Sequence, residues 1–342
     1  MNLYEFARRM PKAELHVHLE GSILPRTLLM LAHHNAIQLP ANDEAGLKRI
    51  YQFRDFEQFL DTYMLISNCL RTVNDYRMIA YEFGKECARQ NIRYAEVTFT
   101  IETNCRLSGL PWQDILRGLN AGREQAQREF GVWWQWVFDI VRNLPDTQAE
   151  VLEIALEARK LGVVALGLGG AEEGFPPELF SETFEQAYRE NMHRVPHAGE
   201  ISGPQSIWSA IKLLHAERIG HGVRCIEDPA LVEYLREKQI PLEVCPTSNV
   251  RLQIYNGYAQ HPIRQLWDSG LMITLGSDDP PMFSTDLNQE YQNLVKYYHF
   301  SQAELEQISL NGIRASFLSQ GEKQRLMQDF QHEFSRLTKK EW

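Results

Sequence analysis

Several hallmarks of other protein classes are scarce or missing in this sequence. Its five cysteines are scattered, odd in number and without a C-x-x-C pair, which argues against a disulfide framework or a cysteine-rich zinc site. The sequence contains no run of about 18 apolar residues, which is the length needed to cross a membrane. Its opening residues, MNLYEFARRM, lack the pattern of an export signal. We therefore expect a cytoplasmic protein that works under reducing conditions and does not enter a membrane.

Positive charge is also in short supply. The 35 lysines and arginines are outnumbered by 45 aspartates and glutamates, which gives a formal net charge of −10. Nucleic acids attract proteins chiefly through contacts of Lys and Arg with phosphate, so nucleic acid is not an expected partner. A small-molecule partner is expected instead, and the sequence leaves the oligomeric state open.

The chain is long and apolar enough to bury a substantial core. Its 342 residues, 44% of them hydrophobic, have the size of one large domain or two ordinary ones. Because no linker, low-complexity tract or internal repeat divides the chain, we interpret residues 1–342 as a single domain.

Short, β-rich apolar segments recur along the chain and alternate with helical patterns. Residues 146–162 show the helical pattern, with Asp146 as a candidate N-cap and Gly162 at the end. Strands that alternate with helices pair in parallel, and eight of them indicate an α/β fold of the (β/α)8 TIM-barrel type. No G-x-G-x-x-G follows the first strand, which disfavours a dinucleotide-binding sheet. The predicted strands are residues 13–19, 92–100, 132–141, 163–170, 194–199, 217–222, 241–246 and 271–278.

Two helical additions to the barrel are expected. Residues 24–89 separate the first two strands, and we expect this helical insert to cover the C-terminal mouth of the barrel. Within it, FRDFEQFLDTYMLISNCL is expected to form the far end of a pocket, although a plain packing helix is an equally good interpretation. Residues 301–340 are expected to form C-terminal helices.

The chemically unusual residues all lie where the predicted strands end. In such barrels the active site is built at the C-terminal ends of the strands. The residues concerned are His16 and His18 on strand 1, Gly169 and Gly170 on strand 4, His197 and Glu200 on strand 5, His221 on strand 6, and Asp278 and Asp279 on strand 8.

Four of these residues form a possible metal site. His16 and His18 are spaced i, i+2, so both side chains point to one face of the strand. Closure of the barrel brings Asp278 beside them, with His197 across the mouth. Three neutral imidazoles and one carboxylate suit Zn²⁺ and leave a position open for water or substrate. For an isolated H-x-H, the alternative is a polar pair on an exposed strand.

Two further residues are placed for proton transfer. Glu200, in the stretch HAGE, lies near the metal site and need not be a ligand, so it is a candidate general acid or base. His221, between two glycines in IGHGV, can hold or deprotonate a water. The alternatives are a solvated strand-end glutamate and a hydrogen-bonded core histidine. Together the residues predict metal-assisted hydrolysis.

Seven stretches resemble motifs of the adenosine deaminase family, part of the amidohydrolase superfamily. In order they are ELHVHLEGS, YAEVTFT, GLGGAEEG, HAGE, ERIGHGV, LEVCPTSNV and GSDDPPMF. The family includes deaminases of adenosine, adenine and aminodeoxyfutalosine. The resemblance implies a (β/α)8 barrel with one zinc ion per subunit, held by His16, His18, His197 and Asp278.

The same resemblance assigns roles around a purine. Glu200 would protonate N1, and His221 would orient and activate the attacking water. Asp279 would contact N7, and the backbone of Gly170 would face N3. The substrate-binding residues are therefore expected to be His18, Glu20, Gly170 and Asp279.

The identity of the substrate depends on two details of the resemblance. Residues 169–172 read GGAE, which is nearer to nucleoside deaminases than to adenine deaminases, so adenosine and deoxyadenosine are the expected substrates, with inosine or its deoxy form and ammonia as products. Glu20 replaces an aspartate that contacts the ribose in mammalian members, which leaves recognition of the sugar open. Aminodeoxyfutalosine and adenine are the alternatives. Amide or ester hydrolysis and a non-catalytic binding protein on the same barrel are more distant ones.

Overall fold

Eight strands form one sheet in sequence order, each parallel to the next. We describe them from a computed structural model, which covers residues 1–53 and 55–339. The strands are β1 (Lys12–His18), β2 (Ile92–Phe99), β3 (Trp133–Val141), β4 (Val163–Gly169), β5 (His193–Ala198), β6 (Ile219–His221), β7 (Leu242–Val244) and β8 (Ile273–Leu275). A parallel bridge between Val17 and Asp278 joins the two ends of the sheet. The predicted (β/α)8 barrel is confirmed, and each predicted strand is present.

Helices connect and surround the strands. In chain order they are α1 (Leu3–Arg9), α2 (Pro25–His34), α3 (Glu44–Ile50), α4 (Phe56–Ser67), α5 (Val73–Arg89), α6 (Ile101–Ser108), α7 (Trp112–Phe130), α8 (Gln148–Glu157), α9 (Ser181–Arg189), α10 (Pro204–Leu213), α11 (Pro229–Lys238), α12 (Pro246–Arg251), α13 (Ile263–Asp268), α14 (Pro280–Phe283), α15 (Leu287–Tyr298), α16 (Gln302–Ala315) and α17 (Gln320–Thr338). None of the helices in the described ranges is both long and apolar enough to cross a bilayer.

The predicted helical insert, residues 24–89, holds helices α2 to α5, and not all of them lie over the mouth of the barrel. Helix α5 packs along α7 and against β2, on the outside of the barrel. Two glycines of α7 allow this close approach, because a Cβ at Gly118 would lie 2.4 Å from the carbonyl oxygen of Val73, and one at Gly122 would lie 2.2 Å from that of Arg77. Helix α5 is therefore the outer-ring crossover between β1 and β2, and the part that reaches the mouth is α4.

The connection before β4 corrects one predicted helix start. Asp146 does not cap a helix; it lies in a short 3-10 turn, Pro145–Thr147, and the N-cap position of α8 is Thr147. Pro145, in the first position of that turn, restricts the backbone geometry there. The predicted N-cap at Asp146 did not take this proline into account. Gly162 ends the segment as predicted, with φ of 100°.

The C-terminal helices cover the outside of the closed barrel. Ser309 of α16 donates a hydrogen bond to the carbonyl of Pro11 at 2.8 Å, and Asn311 donates to that of Ile273 at 3.0 Å. Helix α16 thus contacts both β1 and β8. The predicted helical region 301–340 is matched by α16 and α17, and residue 340 lies outside the described residues.

Candidate active site

Asp278 lies beside the two histidines of β1 at the barrel seam, where the chain after β8 pairs with β1. The backbone N–H of His18 donates to the carbonyl of Asp278 at 2.9 Å, and the N–H of Asp278 donates to the carbonyl of His16 at 3.1 Å. Asp278 has φ of 64°, a conformation that few side chains tolerate and that is often found at functional sites. The seam hydrogen bonds hold this carboxylate at the mouth of the barrel.

The four predicted metal ligands converge. One ligand atom from each of His16, His18, His197 and Asp278 lies within 4.8 Å of the other three. Oδ1 of Asp278 is 3.4 Å from Nε2 of both His16 and His18, and Nε2 of His18 is 3.3 Å from Nε2 of His197. Nitrogen and oxygen donors that face one another at this spacing surround a point where a cation fits.

Protonation within the cluster agrees with this interpretation. Burial lowers the pKa of His18 to about 4 and that of His197 well below its usual value, so both rings are neutral and able to bind a metal. Burial also acts to lower the pKa of His16, but hydrogen bonds with Asp278 and Glu243 outweigh it and raise that pKa to about 10. The surroundings of His16 therefore favour a positive charge, which zinc would supply. The donor set fits zinc.

A second grouping shares part of this cluster. His16, His221, Cys245 and Asp278 also bring ligand atoms within 4.8 Å of one another. Burial raises the pKa of the Cys245 thiol well above its usual value, which keeps it protonated and a poor ligand. The histidine-rich set is therefore the better metal site, and Cys245 is a neighbour that the sequence did not reveal.

A buried network of charged side chains, formed by Glu243, Arg218 and Glu96, supports His16. Nδ1 of His16 is 2.9 Å from Oε2 of Glu243, whose other oxygen accepts a hydrogen bond from Nε of Arg218 at 2.6 Å. Arg218 also pairs with Glu96 at 2.6 Å. A carboxylate on the second nitrogen of a metal-binding histidine fixes the tautomer and ring orientation. Glu243 therefore leaves Nε2 of His16 directed toward the candidate metal site.

The Glu243→Gln variant is expected to bind zinc about 10- to 100-fold more weakly, because an amide cannot supply the charge that orients His16. Titration of metal-free protein with zinc and a competing chelator measures this directly. The control is Glu237→Gln on α11, an exposed residue. Unchanged zinc affinity in Glu243→Gln would show that His16 needs no support from β7.

The turn after β5 presents Glu200 to the site. Its backbone is held by one carboxylate, Glu172, which accepts hydrogen bonds from the N–H groups of Gly199, Glu200, Ile201 and Ser202 at 2.7–3.0 Å. Gly199 has φ of 71°, which a side chain would disfavour. Glu172 thus fixes the loop that carries the proposed acid, a role that the sequence did not predict.

Two residues that line the cavity each have a carboxyl oxygen without a hydrogen-bond partner in the described part of the chain. Oε1 of Glu200 and Oδ1 of Asp279 are buried and have no hydrogen-bond partner among the described residues. Burial, and then the negative charge of Asp278, hold the pKa of each well above its usual range. Both groups therefore favour the protonated form, which can donate a hydrogen bond or a proton to a ligand.

A glycine of the first motif is explained by Asp279. A Cβ at Gly21 would lie 1.7 Å from Oδ1 of Asp279, a distance that no side chain can accept. Gly21 therefore makes room for the carboxyl group of β8 beside the turn after β1. This contact accounts for the glycine in HVHLEG.

His221 lies between the metal cluster and the acid. Its Nε2 is 3.6 Å from Oε2 of Glu200 and 3.8 Å from Oδ2 of Asp278. Burial lowers its pKa to about 3, so the ring is neutral. With φ of 60°, His221 is the second non-glycine residue described at this site in the left-handed conformation, after Asp278. The structure thus brings the predicted catalytic pair together.

The cavity runs from the metal cluster to helix α4. Its inner end is formed by the site residues, including Gly170 at the end of β4. Its outer end is apolar and is lined by Phe56, Phe59, Leu60, Tyr63 and Met64 of α4, with Leu252 opposite. The segment around α4 therefore lines the pocket, as expected of part of the insert.

A family model described as adenosine deaminase matches residues 11–333. This chain belongs to the adenosine deaminase family. The aminodeoxyfutalosine deaminase of Streptomyces coelicolor is 39% identical over 328 residues, which cover 95% of this chain and 84% of that protein. The crystal structure of adenine deaminase from Arthrobacter aurescens matches with a TM-score of 0.91 and 33% identity, covering 95% of this chain and 99% of the other.

A further solved structure that matches this chain contains bound zinc. A zinc-bound amidohydrolase from Burkholderia ambifaria matches with a TM-score of 0.90 and 27% identity, over 98% of this chain and 93% of that one. As a member of the adenosine deaminase family, this chain is an aminohydrolase that acts on carbon–nitrogen bonds.

Glu20 was predicted to contact the substrate, and its position in this adenosine deaminase family member is unexpected for that role. Its side chain is fully buried, and Oε1 accepts hydrogen bonds from the N–H of Thr100 at 3.0 Å and from Asn104 at 2.7 Å. Its other oxygen accepts one from the hydroxyl of Tyr63 at 3.0 Å. Glu20 stands behind the pocket wall and ties α4 to the barrel. Direct recognition of substrate by Glu20 stays a prediction.

The structure adds one pocket residue that the sequence analysis missed. Asp139, at the end of β3, lines the cavity beside Gly169 and is only 4% exposed. Its Oδ1 has no partner among the described residues, and burial raises its pKa to about 7. The sequence signal for Asp139 was its position inside the apolar run VWWQWVFDIV, because burying a carboxylate without a partner costs free energy.

Proposed function

We propose that this chain catalyses zinc-dependent hydrolytic deamination of a 6-aminopurine, with one zinc ion per subunit, and that its substrate is a nucleoside larger than adenosine, of the aminodeoxyfutalosine type. The observation that carries the chemistry is the pair of buried carboxyl groups, Glu200 and Asp279, which line the cavity and each keep one oxygen without a partner in the described structure. They follow β5 and β8, which lie on different sides of the mouth.

This arrangement suits the edge of a 6-aminopurine. The ring nitrogens N1 and N7 lie on the two sides of C6, and both are hydrogen-bond acceptors. Two protonated carboxyl groups are therefore complementary to them, and two ionised ones would be repelled. The raised pKa values of Glu200 and Asp279 support donation from Glu200 to N1 and from Asp279 to N7.

The reaction adds water across the C6–N1 bond and then expels ammonia. When bound, zinc supplies the Lewis acidity that makes water a competent nucleophile near neutral pH. Glu200 gives its proton to N1 while oxygen attacks C6, which avoids a negative charge on the ring. His221, whose Nε2 lies 3.6 Å from Oε2 of Glu200, orients the attacking water. The carboxylate of Glu200, ionised once its proton is on N1, takes a proton from the oxygen added at C6 and passes it to the amino group, so that the C6–N bond breaks and ammonia leaves. The products are a 6-oxopurine and ammonia.

The outer half of the pocket supports a substituent on the purine. The aromatic and aliphatic side chains of α4 lie beyond the residues assigned to the ring. Such a surface gains free energy by covering apolar area, and adenine alone would leave it unused. Aminodeoxyfutalosine carries an aromatic ring beyond its ribose, which matches this surface. The 39% identity with the Streptomyces coelicolor enzyme supports the same choice.

Asp139 supports a nucleoside over a free base. Its buried Oδ1 has no partner among residues 1–53 and 55–339, and it lines the pocket beside Gly169. A buried acceptor without a donor costs about 1–3 kcal/mol, which a ligand hydroxyl would relieve. The ribose of a nucleoside offers hydroxyl donors, whereas adenine has only an N9–H in place of the sugar.

Adenosine and adenine are the competing substrates. Adenosine, which the sequence analysis placed first, is less favoured because it leaves the apolar end of the cavity uncovered. Adenine is the second candidate, because the Arthrobacter aurescens structure that matches over 95% of this chain is an adenine deaminase.

A substrate panel tests the proposal. We expect the zinc-loaded protein to release ammonia from aminodeoxyfutalosine with kcat/KM at least about tenfold above adenosine and adenine, equivalent to about 1.4 kcal/mol. Ammonia release and the shift in purine absorbance report the reaction, with chelator-treated protein as the control. A preference for adenine would overturn the choice of substrate, and no activity on any 6-aminopurine with zinc bound would overturn the function.

A further inference from the structure

A chain of hydrogen bonds links His221 to a backbone amide outside the active site. The N–H of Ile263 lies 3.2 Å from Nδ1 of His261, and Nε2 of His261 lies 3.0 Å from Oδ1 of Asn249. The amide nitrogen of Asn249 is in turn 3.3 Å from Nδ1 of His221. His261, Asn249 and His221 are 4%, 0% and 1% exposed, so water does not compete for these groups.

The backbone amide fixes the direction of the whole chain. A backbone N–H is always a donor, so Nδ1 of His261 must be an acceptor and its proton must be on Nε2. That proton is donated to Oδ1 of Asn249, which leaves the NH₂ group of Asn249 facing His221. Nδ1 of His221 must then accept. In a neutral imidazole the proton is consequently on Nε2.

We propose that Asn249 and His261 are positioning residues that hold His221 as the Nε2–H tautomer, so that His221 meets the reacting centre as a hydrogen-bond donor and not as a base. The Nε2 atom faces the space between Glu200 and Asp278, where the reaction is proposed to occur. The inference rests on the proposed function for what His221 meets there, while the tautomer itself does not depend on the substrate.

The charge of the rings agrees with this arrangement. Burial lowers the pKa of His261 to about 3, so this ring is neutral. A protonated His261 would have no lone pair for the N–H of Ile263, and a protonated His221 would repel the NH₂ group of Asn249. The network is satisfied only when each ring carries a single proton, on Nε2.

The consequence is a narrower role for His221. A donor at Nε2 can hold the oxygen of the attacking water by one of its lone pairs and can stabilise negative charge that develops on that oxygen. It cannot remove a proton from the water without first losing its own. On this proposal His221 orients the nucleophile and does not deprotonate it, so one of the two roles expected from the sequence is favoured over the other.

The tautomer is measurable in the zinc-loaded protein by nitrogen-15 NMR with labelled histidine, since the shifts of Nδ1 and Nε2 differ between the two neutral forms. A His221→Gln variant assigns the signal. We expect the wild-type protein to show the Nε2–H form. An Nδ1–H or doubly protonated His221 would overturn the proposal, and this readout needs no substrate, so it stands apart from the panel described above.

The Asn249→Asp variant tests what the tautomer does. A carboxylate at this position accepts from both rings, so it should force the proton of His221 onto Nδ1 or make the ring doubly protonated. We expect that spectral change together with a kcat at least about tenfold lower and a KM within about threefold of wild type. The control is Asn256→Asp at an exposed position. If Asn249→Asp changes the NMR signal but not kcat, or changes neither, the positioning role is wrong.

Discussion

The Glu200→Gln variant is expected to keep its zinc and lose nearly all turnover, with kcat lower by about 10²- to 10⁴-fold, the range that a positioned general acid contributes. The structure gives two reasons. Glu200 is outside the four-residue metal cluster; it lines the cavity, and its Oε1 has no partner in the described structure. An amide at this position keeps the shape and can still donate a hydrogen bond to N1, but it cannot transfer a proton. Binding should therefore survive while the chemical step fails.

Metal content and single-turnover kinetics are the measurements that separate binding from chemistry. Metal analysis after dialysis should give equal zinc in Glu200→Gln and wild type, and a purine product analogue should bind both with similar affinity. The matched control is Glu173→Gln, the same chemical change at an exposed residue of the loop after β4. Loss of zinc from Glu200→Gln would make Glu200 a ligand, and near-normal kcat would remove it from the reaction.

The barrel and the metal cluster were predictable because their signals are local in sequence. Apolar strands separated by helices specify parallel pairing, and once the barrel closes, the ends of β1, β5 and β8 must meet at one mouth. The i, i+2 spacing of His16 and His18 fixes which face they share. For these residues a pattern of a few amino acids together with a topological rule was enough.

The supporting contacts were not predictable in the same way. Glu243 lies 227 residues from His16 along the chain, and Glu172 holds the N–H groups of a turn 27–30 residues away. Such pairings depend on the register and rotamers of several elements at once, which periodicity does not encode. The sequence does contain one signal, a carboxylate inside an apolar strand, as in LEVCP. This pattern indicates that the carboxylate has a partner in the fold, but it does not identify the partner residue.

Glu20 shows where reasoning from a motif stops. Its position in HVHLEG is adjacent to the metal ligands in sequence, so a direct contact with substrate was a natural expectation. The 3-10 turn Glu20–Ser22 directs the side chain into the protein, where it meets Thr100, Asn104 and Tyr63. Tyr63 in turn lines the pocket. Glu20 thus connects the barrel to Tyr63 of α4, and its direct contact with substrate stays a prediction.

Asp278→Asn is expected to lower zinc affinity by more than about 100-fold, beyond the range for residues that only support a ligand. Asparagine is the informative substitution, because Asp278 has φ of 64° and asparagine tolerates that conformation, whereas alanine would add backbone strain. The seam hydrogen bonds of His16 and His18 use only the backbone of Asp278 and remain in place. The change thus removes one negative charge from the cluster and little else.

Thermal unfolding with and without zinc shows whether the loss is in the metal site or in the fold. A ligand that binds only the native state raises stability by RT ln(1 + [L]/Kd), so zinc at 100 times Kd adds about 2.7 kcal/mol. Wild type and the exposed control Asp329→Asn should both gain this increment. Metal-free Asp278→Asn should unfold at about the same temperature as metal-free wild type but gain little from zinc at that concentration. An equal gain would exclude Asp278 as a ligand, and its contribution would then be limited to the backbone hydrogen bonds of the barrel seam.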